Sequence, residues 1–234
     1  MIYIIQHYWQ SLLYSNGYQI TGMAMTLWLL VISCCIGFCV ALPLAIARNS
    51  KNPLVWGPVW LYGFIFRGTP LYVQLLLIYS GVYGLHFVKD TALLAGFFKS
   101  AIDCTLLAFA LNTGAYTTEI FYGAIRDTPY GEVEAGRAYG MSGFTLYRRI
   151  IIPSALRRAL PMYSNEVILM LHATTLAFTA TVPDILKVTN DAYIATYDPF
   201  NAFGLAAILY ACISFVLIFS FRRAERHFLA YLAP

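Results

Sequence analysis

The run ITGMAMTLWLLVISCCIGFCVALPLAIA, Ile20–Ala47, carries no charge along its whole length. An α-helix rises 1.5 Å per residue, so about 20 apolar residues cross the hydrocarbon core of a bilayer. This run is long enough to span once. It ends abruptly at Arg48-Asn49-Ser50-Lys51-Asn52-Pro53. The rest of the chain has the same character. Of 234 residues, 60% are hydrophobic and 11% charged, where a soluble domain has about 25% charged. The mean hydropathy is +0.67. So little charge cannot cover a water-facing surface. That excludes a disordered chain, a nucleic-acid binder and an ordinary soluble enzyme. It predicts an all-α integral membrane protein whose solvent is the lipid bilayer.

Four further spans are expected. Leu54–Val88 is interrupted only by Arg67. It is too long for one straight helix and too short for two spans, and it reads as one span at 57–82. Arg67 is then expected near the inner interface, with the stretch preceding it lying along the membrane. The others fall at 101–125, 159–181 and 200–221, so residues 1–234 form one transmembrane domain with five helices. The first span is 20–47. No Lys or Arg precedes Arg48, so the opening lacks the basic start of a cleavable signal peptide.

Charge sets the orientation, because short cytoplasmic segments accumulate Lys and Arg. With the N-terminus outside, the inner segments hold eleven basic and four acidic residues, a net +7. The outer ones, counted with Asp103 at the outer end of the third span, hold three basic and five acidic residues, a net −2. The expected topology is N-terminus periplasmic and C-terminus cytoplasmic.

Several chemistries are missing. No GxxxxGK[ST] occurs, so the chain has no P-loop of its own for a nucleotide. There is no GxSxG and no HExxH, and the four histidines are scattered. The five cysteines form no CxxC and read as small buried hydrophobes rather than metal ligands.

Ionisable groups inside spans are expensive and usually functional. Asn112, Tyr116 and Glu119 fall at i, i+4 and i+7, one face of the third span. Asn165, His172, Thr175 and Thr179 share a face of the fourth, and Glu166 lies about 100° around from Asn165. One reading is a hydrophilic passage between these faces. The other is interhelical hydrogen bonding. Arg67 either pairs with a span carboxylate or snorkels to the interface.

The inner segment 126–158 reads as two short helices about a turn. Acids load the start of the first, in keeping with the helix dipole. Gly140 is a left-handed stop and Ser142 a cap for the second helix. Ala135, Gly136 and Ala138 offer a small-residue surface to a partner, or the hairpin packs on its own bundle. A self-contained channel or ion-coupled carrier would explain the spans and buried carboxylates, but not this loop. A membrane enzyme lacks a catalytic set.

Glu134-Ala135-Gly136, then Gly140, then Ile150-Ile151-Ile152-Pro153 resembles the EAA motif of ABC-importer permeases, E-A-A, three residues, G, nine residues, I-x-L-P. Gly136 and Ile152 are mild departures at intact spacing. Phe66-Arg67-Gly68-Thr69-Pro70-Leu71-Tyr72-Val73-Gln74 resembles the FRGTPLxVQ signature of the polar amino-acid permeases. Ala115–Ile120 with Gly123–Arg126 is similar to their third span, with Tyr122 where Arg is commoner. Asn165–Leu176 is similar to their N-E-x-I-x-L-L-K-x-T-S-L stretch. His172 there replaces Lys, a feature of the histidine-permease branch.

The resemblance covers nearly the whole chain and implies a type I ABC-importer permease fold. It implies a coupling helix that docks on an ATPase through Glu134, Ala135, Gly136, Gly140, Ile150 and Pro153. It implies transport of histidine and other basic amino acids across the bacterial inner membrane. The implied partners are a paralogous Q-type permease subunit, two ATPase subunits that use ATP and Mg²⁺, and periplasmic histidine-binding and lysine/arginine/ornithine-binding proteins. This chain itself is expected to bind no cofactor and no metal. Asn112, Glu119, Asn165, Glu166, His172 and Thr175 are its candidate passage residues.

Overall fold

The computed structural model describes residues 1–229, and among these every regular element is helical. The uncharged opening, unassigned in the sequence reading, forms α1 (Ile2–Leu13). The first expected span is α2 (Gly22–Arg48). Next comes α3 (Pro53–Gly68), where Pro53 fits the first turn and the Asn52 side chain accepts the Leu54 N–H. Then α4 (Leu71–Leu76) winds on through a π turn, Leu77–Gly81, and a 3₁₀ turn ending at Gly84. Short α5 (His86–Asp90) and α6 (Ala92–Lys99) lead into α7 (Ala101–Arg126), capped by Ser100.

The expected inner loop holds α8 (Tyr130–Ala138) and α9 (Gly143–Leu146). A π turn, Tyr147–Ile151, joins α9 to α10 (Ile152–Ala173). A 3₁₀ segment, Thr174–Ala180, follows. The last helices are α11 (Ile185–Thr196), capped by the buried Asp184, and α12 (Pro199–Phe228).

Two helices, α2 and α12, are long and apolar enough to cross a membrane, and up to four spans arise if each bent pair counts as one. Three expected segments differ from the helices observed, one of them α12, which runs past 221 to Phe228. Residues 57–82 are not one straight rod. The helix starts earlier, at Pro53, and turns by 102° between Gly68 and Leu71. Pro70 is the physical reason, since it biases Thr69 out of the helical region. Indeed Thr69 and Pro70 are both extended. The helix expected at 159–181 begins at Ile152 and tightens to 3₁₀ winding from Thr174. Its first two turns carry Arg157 and Arg158, which a hydropathy reading assigns to the loop. Consequently the second short helix of the inner segment is not free-standing but runs into α10.

The bundle is organised around the contact of α2 with α7, the most extensive between any two helices. Glycines allow it. A Cβ on Gly37 would sit 2.7 Å from Thr113 Cγ2 and 3.1 Å from the Gly114 nitrogen. Small residues let helix backbones approach in this way where lipid supplies no hydrophobic drive between helices. One cluster of the core joins Leu29 and Cys34 of α2 to Phe109 of α7 and Leu171 of α10. A second joins Ala41 and Ala45 to Phe121, Ile151 and Ala155. Large apolar side chains also face outward, among them Trp28, Val31 and Val40 of α2 and Phe215, Val216 and Phe219 of α12. A water-soluble chain rarely exposes such extensive apolar surface, whereas lipid or a partner subunit would cover it.

Candidate functional site

A cavity of about 860 Å³ opens between α7, α10 and the bend that separates α3 from α4. Asn112, Tyr116 and Glu119 of α7 line it, as their i, i+4, i+7 spacing requires. Asn165 and Glu166 line it from α10, and Arg67 and Leu71 from the bend. Four of the six candidate passage residues therefore meet. His172 and Thr175 do not join them. His172 turns the other way, its Nε2 lying 3.4 Å from Ser214 Oγ on α12. Thr175 donates to the His172 carbonyl within the 3₁₀ segment. The face expected from 3.6-residue geometry fails for Thr175 because the winding changes at Thr174, whereas His172, still within α10, faces Ser214 of α12.

The bend is a broken helix whose freed carbonyls must be satisfied, since unpaired backbone groups in a bilayer cost several kcal/mol each. Gln74 does most of this. Its Nε2 donates to the carbonyls of Phe66 at 2.8 Å and Thr69 at 3.0 Å, and to Thr69 Oγ1 at 2.8 Å. Asn112 reaches across from α7. Its Nδ2 donates to the Phe66 carbonyl at 3.0 Å and to Gln74 Oε1 at 3.2 Å. The FRGTPLxVQ pattern is thus a chemical unit: Gly68-Thr69-Pro70 breaks the helix and Gln74 satisfies the break. For Asn112 the hydrogen bonds observed are those of interhelical bonding, made at the cavity wall.

The two carboxylates differ sharply. Glu119 is shared by two arginines, Arg48 Nε at 3.3 Å and Arg67 Nη1 at 3.6 Å. Aromatic faces flank both cations, with Arg48 over Tyr122 and Trp56 and Arg67 over Tyr116. Arg67 therefore pairs with Glu119, not with Glu166. Glu166 is buried, only 7% exposed. It accepts one hydrogen bond, from Thr113 Oγ1 at 3.1 Å. Among the described residues no cation lies within ion-pair distance of it. The cavity thus presents a half-exposed guanidinium at the bend and an unpaired carboxylate on α10. No cluster of His, Cys, Asp and Glu suited to a metal ion occurs among the described residues.

At the other end of the molecule, α8 closes in a Schellman motif. The Gly140 N–H donates to the Arg137 carbonyl at 2.9 Å and the Met141 N–H to the Gly136 carbonyl at 3.0 Å. Gly140 has φ +77°, the left-handed stop expected of it. Ser142 sits at the cap position of α9 but makes no side-chain hydrogen bond there. Glu134, Ala135 and Gly140 are exposed, and Ile150 and Pro153 are half-buried along a groove beside α8. Gly136 departs from the small-residue surface expected for it, because it faces inward. A Cβ there would meet Leu146 Cδ1 at 2.7 Å and Ile150 Cγ1 at 3.3 Å.

Sequence reasoning missed Gln74, Thr113 and Arg48, whose partners lie 38 to 71 residues away. The Gly68-Thr69-Pro70 triplet was the available signal for the bend.

Across its full length the chain is 62% identical to HisM, the histidine/lysine/arginine/ornithine transport system permease protein of Salmonella typhimurium, covering 99% of that protein. It is 61% identical to HisM of Escherichia coli over 100% of this chain and 98% of that one. A solved amino acid ABC transporter with histidines superposes with a TM-score of 0.77 at 29% identity, over 88% of this chain and 92% of that one. Residues 37–230 match the model for binding-protein-dependent transport system inner membrane components, and the chain belongs to that family.

Proposed function

We propose that this chain is the membrane permease subunit of an ATP-binding-cassette importer that brings histidine and other basic amino acids into the bacterial cytoplasm. The observation that carries this reading is the full-length identity to HisM. The geometry fits it. A cavity with Arg67 on one wall and Glu166 on another offers both charge signs to a zwitterion with a cationic side chain. The exposed face of α8 offers a docking surface for an ATPase. ATP and Mg²⁺ act on that separate subunit, and no step of hydrolysis is assigned to this chain. The assembly we infer contains a paralogous Q-type permease, two ATPase subunits, and periplasmic histidine-binding and lysine/arginine/ornithine-binding proteins.

We infer five crossings: α2, the bent α3–α4 pair, α7, α10 with its 3₁₀ extension, and α12. With the N-terminus outside, α8 lies in the cytoplasm. Single-cysteine labelling in a cysteine-free chain tests this. Ser50→Cys should react only from the cytoplasmic side and Thr91→Cys only from the periplasmic side. Periplasmic labelling at position 50 would reverse the topology.

Function is tested by reconstitution with the paralogous subunit and the ATPase. Loaded binding protein should drive ATP-dependent uptake of histidine, arginine and lysine, and this chain alone should transport none. Uptake by the isolated chain would favour a self-contained carrier.

A further inference from the structure

The covalent route from α8 to the cavity is compliant. It passes through Gly140 and Gly143, both at positive φ, and then through the π turn Tyr147–Ile151. Such turns interrupt regular helices at functional hinges. The Gly136 contact with Leu146 and Ile150 is apolar and does not fix a register. A rigid connection between the two helices must therefore come from elsewhere.

One polar link bypasses that route. Glu132, in the first turn of α8, accepts a hydrogen bond from Ser154 in the first turn of α10. The same carboxylate lies 3.5 Å from Arg158 Nη1. Ser154 and Arg158 are one turn apart and share a face of α10. The Arg158 side chain is only 17% exposed, and its Nε and Nη2 are buried without partners among the described residues. A guanidinium in that position relies on Glu132 for its counter-charge. Eight residues beyond Arg158, about 12 Å along the helix, α10 carries Glu166 in the cavity wall.

We propose that the Glu132–Arg158 ion pair, seated by Ser154, is the strut that carries movement of α8 into α10 and so to the cavity. Resting on the transport function proposed above, it makes both side chains positioning residues. When a partner shifts α8, an ion pair with a hydrogen-bonded seat transmits the displacement, while the glycine-bearing turn would absorb it. Arg158 gains its counter-charge only when α8 is in place, which ties the two helices' positions together.

The test uses the complete reconstituted complex, with the ratio of amino-acid uptake to ATP hydrolysed as the readout. Glu132→Gln keeps the shape of the side chain and can still accept from Ser154. It should lower the ratio about fivefold or more, the range in which coupled sites operate, in a complex that elutes as the wild type does. The reversed pair, Glu132→Arg with Arg158→Glu, should recover at least half of the wild-type ratio. A merely structural role predicts poor assembly and no effect on the ratio in what assembles. An unchanged ratio in Glu132→Gln, or a reversed pair as defective as the single variant, overturns the strut. Should Glu132→Gln fail to assemble, Ser154→Ala keeps both charges and should lower the ratio about twofold, and an unchanged ratio there also overturns it. Absence of ATP-driven uptake in the wild-type complex would instead refute the transport function itself.

Discussion

A complex carrying Glu134→Lys and Gly140→Asp is expected to assemble in the membrane yet hydrolyse ATP no faster when loaded binding protein is added. Glu134 is exposed on α8 and makes no hydrogen bond or ion pair within the chain among the described residues. Its reversal therefore leaves the fold intact and acts only on whatever docks there. Gly140 has open space where a Cβ would lie. Aspartate there has only the left-handed backbone to overcome, about 1–2 kcal/mol, and it adds a negative charge at the end of the docking helix. The surface these changes alter is aromatic as well as charged. Tyr130 is 69% exposed, Tyr139 87% and Phe144 78%. Rings of this kind, left in water by the isolated subunit, are typical anchors of an interface. Reversing one charge of a desolvated interfacial pair costs about 2–5 kcal/mol, so the loss of stimulation should exceed tenfold. Stimulated hydrolysis and uptake are measured on the purified complex, with basal hydrolysis as the control. Normal uptake with both changes combined would remove this helix from the transmission path.

The sequence is most legible where one physical property dominates a long stretch. The ends of α2 and α7 fall within a few residues of expectation, because long apolar stretches bounded by Arg48 and Arg126 leave little choice, whereas α12 runs past Arg222 to Phe228. Legibility fails where helices break. Pro70 turns the second apolar stretch through 102°, and hydropathy averages over such a turn without registering it. It fails again at α10, whose charged first turns contribute nothing to an apolar signal although they belong to the same helix as Glu166. The same logic applies to the site. Asn112 and Glu119 could be put on one face by periodicity alone. Their partners could not, since Gln74 and Arg48 reach them across the bundle from other helices. Periodicity misplaces Thr175 because it assumes constant winding, and Thr174–Ala180 is 3₁₀; His172 is still in α10 and meets Ser214 of α12, a neighbour that periodicity does not reveal. Gly136 looked like a surface for a partner because sequence does not show which side of α8 meets Leu146 and Ile150.

Glu166→Gln should cut uptake of arginine and lysine strongly while assembly and basal ATP hydrolysis survive. Two carboxylates line the cavity, but Glu119 is already held by Arg48 and Arg67 and has little left to offer a cation. Glu166 has only the Thr113 hydroxyl, to which glutamine can also bond. Because Glu166 carries no ion pair, removing its charge leaves no stranded arginine behind. The complex should therefore be at least as stable, and the packing role in which Glu166 pairs with Arg67 has no support in the observed distances. What is lost is a charge-assisted hydrogen bond to a cargo ammonium or guanidinium, worth about 1.5–3 kcal/mol, or about 10- to 150-fold. Histidine should respond differently, and the difference carries a sign. Free imidazole titrates near pH 6.5, so histidine is mostly neutral at pH 8 and mostly cationic below pH 6. Its uptake at pH 8 should therefore be cut much less than that of arginine, which is charged throughout. Initial uptake rates in proteoliposomes, at saturating binding protein and at three pH values, separate these cases. Unchanged kinetics for histidine and arginine at every pH, in a well-assembled Glu166→Gln complex, would sink the contact between this carboxylate and the transported amino acid.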